Sequence, residues 1–563
     1  MIAGIDLGTT HSLVGLYAKE GPVLAANALG ELLTPSVVAV DDDGTILVGR
    51  AAADRLVARP ETGVAGFKRW MGTDRVTRLG NHAFRPEELS ALVLRSLLAD
   101  AENHFGSKVE EAVISVPAYF GDAQRKATRI AGELAGIRVE RLVNEPTAAA
   151  LAYGLQQRER GGRFLVFDLG GGTFDVSILE MFEGVMEVHA SAGDNYLGGD
   201  DFLEVLVNCC LHELSITARD LAPTESAQLR RRLELLKREL SQAGGEARMR
   251  LQLGGHEHEW AIDEARFARA CEPLVQRLRA PLERAMRDAR LMPEQLDEIV
   301  LVGGASRMPL AARLVSRMFG RLPLRHINPD ETVALGAVVA SGMKARDQTL
   351  EEIILTDVCP HTLGVGTGEQ LEDGTIVHGV FSPIIERNST VPVSRVRRYQ
   401  PLRDYQQDVT FHIYQGESPR VEHNVHLGRI TVKVPRLKSD ENPVDIRFTY
   451  DINGLLQVEA LVVTNGLLQE LVLEQNPGVL DPAQVRERLA ALAALKVHPR
   501  DQQENVALLA RAERLYAEVL WARQDLQQAL LRFRQVLESQ EPSLIREHRT
   551  GFTEMLDRIE AQA

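Results

Sequence analysis

A buried apolar strand, three glycines and a second strand follow one another in Phe164-Leu165-Val166-Phe167-Asp168-Leu169-Gly170-Gly171-Gly172-Thr173-Phe174-Asp175-Val176-Ser177-Ile178. With no Cβ in the way, the backbone N–H groups of Gly170, Gly171 and Gly172 can close on a bulky anion. Asp168 and Asp175 flank that turn, and two carboxylates beside a phosphate cradle fit a hydrated divalent cation between them. Thr173 adds a hydroxyl at the mouth. Taken alone, an ordinary glycine hairpin is the better reading. Near the N-terminus, however, Ile2-Ala3-Gly4-Ile5-Asp6-Leu7-Gly8-Thr9-Thr10 repeats the order strand, Asp-Leu-Gly, threonine, and runs on into an alternating strand, His11 to Leu16. Two such hairpins facing each other imply a duplicated fold with a nucleotide in the cleft between its halves.

At 563 residues the chain has room for three or four domains. Its net charge of −15, from 64 basic and 79 acidic residues, argues against general nucleic-acid binding but not against local phosphate binding. No apolar run is long enough for a membrane span. With the first strand beginning at Ile2, no signal peptide is expected. Cys209, Cys210, Cys271 and Cys359 show no Cys-x-x-Cys spacing, so neither zinc nor a disulfide framework is expected. The expected compartment is the cytoplasm.

Between the hairpins, Gly66-Phe67-Lys68-Arg69-Trp70-Met71-Gly72 reads by composition as a surface loop with solvated charges. Residues 86–104 read as a helix opening at Pro86, and Asp122 as the cap of a helix from about Ala123 to Ala135. Arg141-Leu142-Val143-Asn144-Glu145-Pro146 reads as a strand entering a helix, with Pro146 at its first position. Glu145 is then either a cap or a group acting on a metal or water. In 228–242, Leu229, Leu233, Leu236 and Leu240 form an apolar stripe at helical spacing. Glu234, Lys237, Arg238 and Ser241 share the neighbouring polar stripe, which is either a solvated surface or a grip for ribose and adenine. Val300-Leu301-Val302-Gly303-Gly304 repeats the strand-to-glycine pattern before Arg307, and Asn328-Pro329-Asp330-Glu331 opens a last helix closing near Lys344. From 357 to about 475 the pattern is short strands and turns, with a hairpin at Asn453-Gly454, and it reads as a β-sandwich. From Asp481-Pro482 onward the pattern reads as helical.

Together these stretches resemble the seventy-kilodalton heat-shock chaperones, the DnaK-like family. The likeness runs from Ile2 to about residue 475. It rests on the two glycine hairpins, Val116-Pro117-Ala118-Tyr119-Phe120, Asn144-Glu145-Pro146-Thr147-Ala148-Ala149-Ala150, Leu197-Gly198-Gly199-Asp200-Asp201-Phe202, Val302-Gly303-Gly304 and Asn328-Pro329-Asp330-Glu331. The compact length and the Arg/Leu-rich helical end look most like the HscC branch. The resemblance implies an α/β actin-like (ribonuclease H-type) duplicated ATPase domain over 1–345, a linker at 346–356, an all-β peptide-binding sandwich over 357–480 and a helical lid over 481–563.

It also implies roles. Lys68 would position the attacking water, Glu145 would sense the γ-phosphate region, and Asp6, Asp168 and Asp175 would surround hydrated Mg2+. Gly8, Thr9, Thr10, Thr173 and the glycines at 170–172, 198 and 199 would face the ATP or ADP phosphates. Glu234, Lys237, Arg238 and Ser241 would grip adenosine opposite Gly303, Gly304, Arg307 and Asp330. Pro117 and Arg125 would lie on an allosteric relay, and Arg141, Asn144 and Asp357 on a surface for a J-domain partner. Val365, Tyr399, Leu402, Val409 and Phe411 would line the client-peptide pocket, with Gly368 at the arch opposite. A monomer is expected. His11 replaces the usual Asn or Tyr and leaves a K+ site open. Thr356 replaces the last aliphatic linker residue, and 243–262 looks short for docking a GrpE-type exchange factor.

The triplet Ile353-Ile354-Leu355 stands in a polar connector, and burying each side chain contributes about 1.5–3 kcal/mol. Either it is a short strand at the sandwich edge or a latch that docks on the ATPase domain with ATP. Two rival readings keep the actin-like core: a small-molecule kinase and a filament-forming protein. The kinase would need a sugar-binding base and has no reason to carry a sandwich; ATP-dependent sedimentation would mark the filament protein.

Overall fold

The first 361 residues build one strand arrangement twice. The computed structural model describes residues 1–154, 161–182, 185–243, 245–324, 326–345, 354–370, 376–451, 455–473 and 503–562. They divide into two units, Met1–His361 and Thr362–Ala563. In the first sheet, β1 (Ile2–Asp6) turns back antiparallel into β2 (His11–Ala18) and β3 (Gly21–Leu24). On its other side β1 runs parallel to β4 (Glu111–Val116), and β4 parallel to β5 (Arg138–Asn144). In the second sheet, β6 (Gly162–Leu169) turns back into β7 (Phe174–Phe182) and β8 (Val185–Asp194), and runs parallel to β9 (Glu298–Val302). A single parallel bridge, Val300 to Leu324, stands where β5 pairs in the first half.

β10 (Ile354–Val358) adds to the free edge of β8 in parallel, with Ile354 opposite Val185 and Leu355 opposite Met186. The connector is therefore, from Ile354 on, a strand of the second sheet within the first unit. Ile353 lies outside the described residues.

The helices α1 (Glu145–Ala152) and α4 (Thr332–Lys344) cross between the sheets in an apolar cluster that includes Ala148, Val166, Val300 and Ala337. Their contact is backbone on backbone: a Cβ on Gly336 would lie 1.7 Å from the Ala148 carbonyl oxygen. Between them in sequence lie α2 (Gly199–Glu213) and α3 (Pro223–Ala243). All four leucines of the α3 stripe are at most 3% exposed. The helix expected after Asp122 includes it: Gly121 is the cap, and the element runs Asp122–Ala135. An extended Gly121 needs no side chain to stop there, and a Gln124 carboxamide reaches back to its N–H at 3.0 Å.

The second unit opens with two four-stranded antiparallel sheets. In one, β11 (Leu363–Gln370) lies between β12 (Ile376–Ile385) and β14 (Asp408–Gln415), and β15 (Val425–Lys433) follows β14. The other runs β13 (Val393–Tyr399), β16 (Val444–Tyr450), β17 (Leu456–Val462), β18 (Leu467–Leu473), so β13 is a margin. The Asn453-Gly454 turn lies outside the described residues, but Tyr450 faces Leu456 as a hairpin requires. Beyond residue 502, α5 (Gln503–Glu518), α6 (Arg523–Ser539) and α7 (Pro542–Ala561) bury Leu526, Phe533, Leu537 and Leu556 against one another. The proposed start of the helical end at Asp481 is outside the described residues. At the α6–α7 junction the Gln540 carboxamide accepts from the Val396 N–H at 3.2 Å and donates to its carbonyl at 2.9 Å. Among the described residues, no helix is long and apolar enough to cross a membrane.

Candidate nucleotide site

The two glycine hairpins interlock. A Cβ on Gly171 would lie 2.3 Å from Thr10 Cγ2, and one on Gly172 would lie 2.5 Å from Thr9 Cγ2. Glycine at these two positions is thus demanded by the opposing threonines. Gly198 packs behind the same turn, where a Cβ would come within 2.5 Å of Gly171. The cleft they frame, about 540 Å3, is lined by Asp6, Gly8, Thr9, Thr10, Lys68, Glu145, Asp168, Gly170, Gly171 and Thr173 on the phosphate side. Gly199, Glu234, Lys237, Arg238, Ser241, Gly303, Gly304, Arg307 and Asp330 line the rest. Gly172, Gly198 and Asp175 stand just behind the lining.

Lys68 is not on a solvated loop. It sits in a short 3-10 turn, Phe67–Trp70, is 4% exposed, and donates to Glu145 Oε1 at 2.8 Å. Glu145 therefore does not cap its helix; it answers a buried ammonium. Three more carboxylates crowd the pair. Burial first, then Glu145, pushes Asp6 up to about 6, opposed by Lys68 and by the Ser115 hydroxyl that donates to it at 2.7 Å. Burial, then Glu145, pushes Asp175 up to about 8, although the Tyr119 N–H donates to its Oδ1 at 3.0 Å. Burial and the neighbouring Glu145, Asp175 and Asp6 also hold Asp168 well above the carboxylate range.

Asp168 Oδ2 and Asp175 Oδ2 are buried without a hydrogen-bond partner. Orphan oxygens among mutually repelling carboxylates suit a positive charge. No group of three or more His, Cys, Asp or Glu side chains among the described residues gathers tightly enough to hold an ion directly. The residues thus fit a hydrated Mg2+, reached through its water shell.

On the other wall, the polar stripe of α3 is partly spent on local structure. Lys237 bonds Glu234 at 2.6 Å and donates to the Gly199 carbonyl at 2.8 Å, tying α3 to the Gly198-Gly199 turn. Arg238 bonds Glu234 at 3.0 Å, and Ser241 donates to the Lys237 carbonyl at 2.8 Å. Across the cleft Arg307 pairs with Asp330 at 2.8 Å. The sequence reading missed three contributors. Arg69 bridges to Asp201 at 2.6 Å and Asp201 accepts from the Gly198 N–H at 2.8 Å, locking the turn. Asp200 lines the cleft beside them. The signal was there: a second cation next to Lys68, and adjacent aspartates after Gly199. His11 also lines the cleft, where burial and then the Arg238 guanidinium hold its imidazole below the usual value.

From the carboxylates a chain of contacts leads outward. Arg125 donates to Asn144 Oδ1 at 2.7 Å and to the Phe120 carbonyl at 3.0 Å, bracing the turn after Pro117 against the start of α1. Tyr119 in that turn carries the Asp175 bond and packs its ring edge on His361, with centroids 4.7 Å apart. Arg141 lies on β5, and Asp357 within β10.

In the second unit, Val365, Val409 and Phe411 are buried. The Tyr399 ring lies 5.5 Å from that of Phe411, and its hydroxyl is 3.0 Å from Ser382 Oγ. Gly368 pairs with His378 on β12. Leu402 is 42% exposed.

A family model described as "Hsp70 protein" matches residues 2–562. The "Chaperone protein dnaK3" of Thermosynechococcus vestitus is 40% identical over 530 residues, covering 87% of this chain and 75% of the relative. The "Chaperone protein DnaK" of Thermotoga petrophila and that of Thermotoga maritima are each 40% identical over 486 residues, covering 84% of this chain and 80% of the relative.

Proposed function

This chain belongs to the Hsp70 family, and from that premise we propose that it is an ATP-dependent chaperone that hydrolyses ATP between the two interlocked hairpins. Hydrolysis drives the binding and release of hydrophobic segments of unfolded proteins. The observation that carries the catalytic reading is the buried Lys68–Glu145 pair at the phosphate end of the cleft. A fixed ammonium there can hold a water in line with the γ-phosphate, and positioning plus charge is most of what phosphoryl transfer asks of a protein. Glu145 keeps that ammonium oriented, and Thr173, Thr9 and Thr10 offer hydroxyls to the phosphates. A bound magnesium ion would supply charge neutralisation at the phosphates, and Asp6, Asp168 and Asp175 are the residues that would hold it through water. Glu234, Arg238 and Ser241 on one wall and Arg307 on the other would take the adenosine.

Val365, Tyr399, Val409 and Phe411 form the client pocket, with Leu402 at its exposed rim. The connector works as a latch, docked on β8 in one nucleotide state and released in the other. Differential docking is what lets a nucleotide bias a distant pocket. Arg141, Asn144 and Asp357 are the surface offered to a J-domain partner, and the cytoplasm is the place of action. A small-molecule kinase or a filament protein on the same core is not favoured, since the family match spans the sandwich and the helical end as well. The test is release of a fluorescent hydrophobic peptide on adding ATP. Rapid release with ATP but not ADP is expected; a rate indifferent to nucleotide overturns the reading.

A further inference from the structure

Two histidines meet on the outer face of the sandwich, away from both sites above. His412 Nδ1 and His426 Nε2 stand 3.2 Å apart, with ring centroids 5.4 Å apart and planes inclined at 47°. His412 lies on β14 between the inward-facing Phe411 and Ile413. His426 reaches the same face through a break in register: Ile413 faces Gly428 but Tyr414 faces His426, leaving Leu427 as an extra residue. In an unbroken ladder His426 would fall opposite Gln415, whose side chain points inward and is 8% exposed. A one-residue slip turns a side chain to the other face, and re-aiming side chains is what such bulges do. Tyr414 then packs its ring edge-on against His426, with centroids 5.1 Å apart.

We propose that His412 and His426 form a two-histidine clamp for a borderline divalent cation of the zinc, nickel and copper class, the remaining coordination positions being filled by water. Imidazole nitrogen is a ligand these ions favour, whereas Mg2+ prefers oxygen. Two nitrogens at the usual zinc distance and a tetrahedral angle are about 3.3–3.4 Å apart. The pair at 3.2 Å needs only a small spreading to admit the ion. Both rings are exposed, so entry requires no opening of the fold. Arg429 faces His412 across the ladder; its charge opposes the ion and sets the affinity in the micromolar range rather than tighter. Bound there, the ion would staple β14, which carries Val409 and Phe411, to β15.

The test is calorimetric titration of the full-length, metal-stripped protein with NiCl2, and separately with ZnCl2, near pH 7.5, where an ordinary imidazole is neutral. One equivalent of micromolar binding is expected, together with a rise in the thermal midpoint. His412→Gln and His426→Gln, singly and combined in a double variant, should each abolish micromolar binding, because each removes one of the two protein ligands, and should remove the thermal rise. Their metal-free midpoints should match the parent, since both positions are exposed; Asn variants serve if either Gln variant misfolds. Binding that persists in the double variant, or no micromolar binding by the parent, overturns the assignment.

Discussion

Lys68 and Glu145 meet at 2.8 Å with their side chains 5% and 9% exposed, 77 residues apart in the chain. A pair so far removed from water is a poor source of stability, because the desolvation cost rivals the attraction. Its value lies in fixing an ammonium at one point of the cleft.

Lys68→Ala should therefore leave ATP bound while hydrolysis falls by about 10²–10³-fold, the usual loss when one preorganised charge or donor is removed. Single-turnover hydrolysis beside equilibrium nucleotide binding separates the two effects. Near-normal turnover would mean that the water is held elsewhere.

The carboxylate cluster makes the empty protein sensitive to pH. Asp6 is raised to about 6 and Asp175 to about 8 in the folded chain, from 3.8. The folded state thus keeps protons that the unfolded state has released. The stability this contributes is complete below about pH 4 and is lost as pH rises through the folded values. Stripped of nucleotide and metal, the protein should lose thermal midpoint from near pH 4 to near pH 8, and Mg2+ with ADP should restore more of it at the higher pH. Asp175→Asn should flatten that slope. Scanning calorimetry with and without a chelator reads both, and a gap that does not widen with pH counts against the arrangement.

Gly336→Ala should destabilise the first unit by about 1–3 kcal/mol or more, as overpacking does. The added methyl would sit 1.7 Å from the Ala148 carbonyl oxygen, and neither helix backbone can easily give way. Thermal unfolding measures it, and a shift of under a degree would show that the crossing is loose.

The glycine hairpins and the leucine stripe of α3 were legible in the sequence because local geometry alone explains them. A turn facing another backbone must shed its Cβ, and an amphipathic helix must bury one face. The burial of Lys68 was not legible, since composition places two cations on a surface and the compensating Glu145 is remote. The same distance hid the Arg69–Asp201 clamp, and the register break that turns His426 outward was hidden because alternation along a strand does not show where an extra residue sits. Asp122 has the residue type of a cap, but Gly121 takes that place, and end positions are where sequence patterns say least.

Replacing Ile353, Ile354 and Leu355 together by Asp should uncouple the two units without emptying either site. β10 pairs with β8 through residues 354–356, and charged side chains should favour the undocked state. ATP and peptide should still bind, while peptide no longer stimulates hydrolysis and ATP no longer speeds peptide release. Retention of both couplings would make the connector a tether.

Val409→Phe should weaken peptide binding with basal ATPase unchanged. Val409 is 9% exposed in the strand that also carries Phe411, and an added ring there costs about 1–3 kcal/mol. Fluorescence anisotropy with a hydrophobic peptide reads the loss; an unchanged affinity moves the pocket elsewhere.

The Gln540 carboxamide engages both backbone groups of Val396 on the marginal strand β13. An unoccupied strand margin is a template on which another chain can polymerise. One side chain here imitates a neighbouring strand for the length of one residue, which stops such growth without extending the sheet. For a protein whose work brings it among sticky, half-folded chains, this is a guard against becoming part of the tangle. The cover and the helical end are one piece: a change that detached the helices carrying Gln540 would bare the margin beneath it in the same movement.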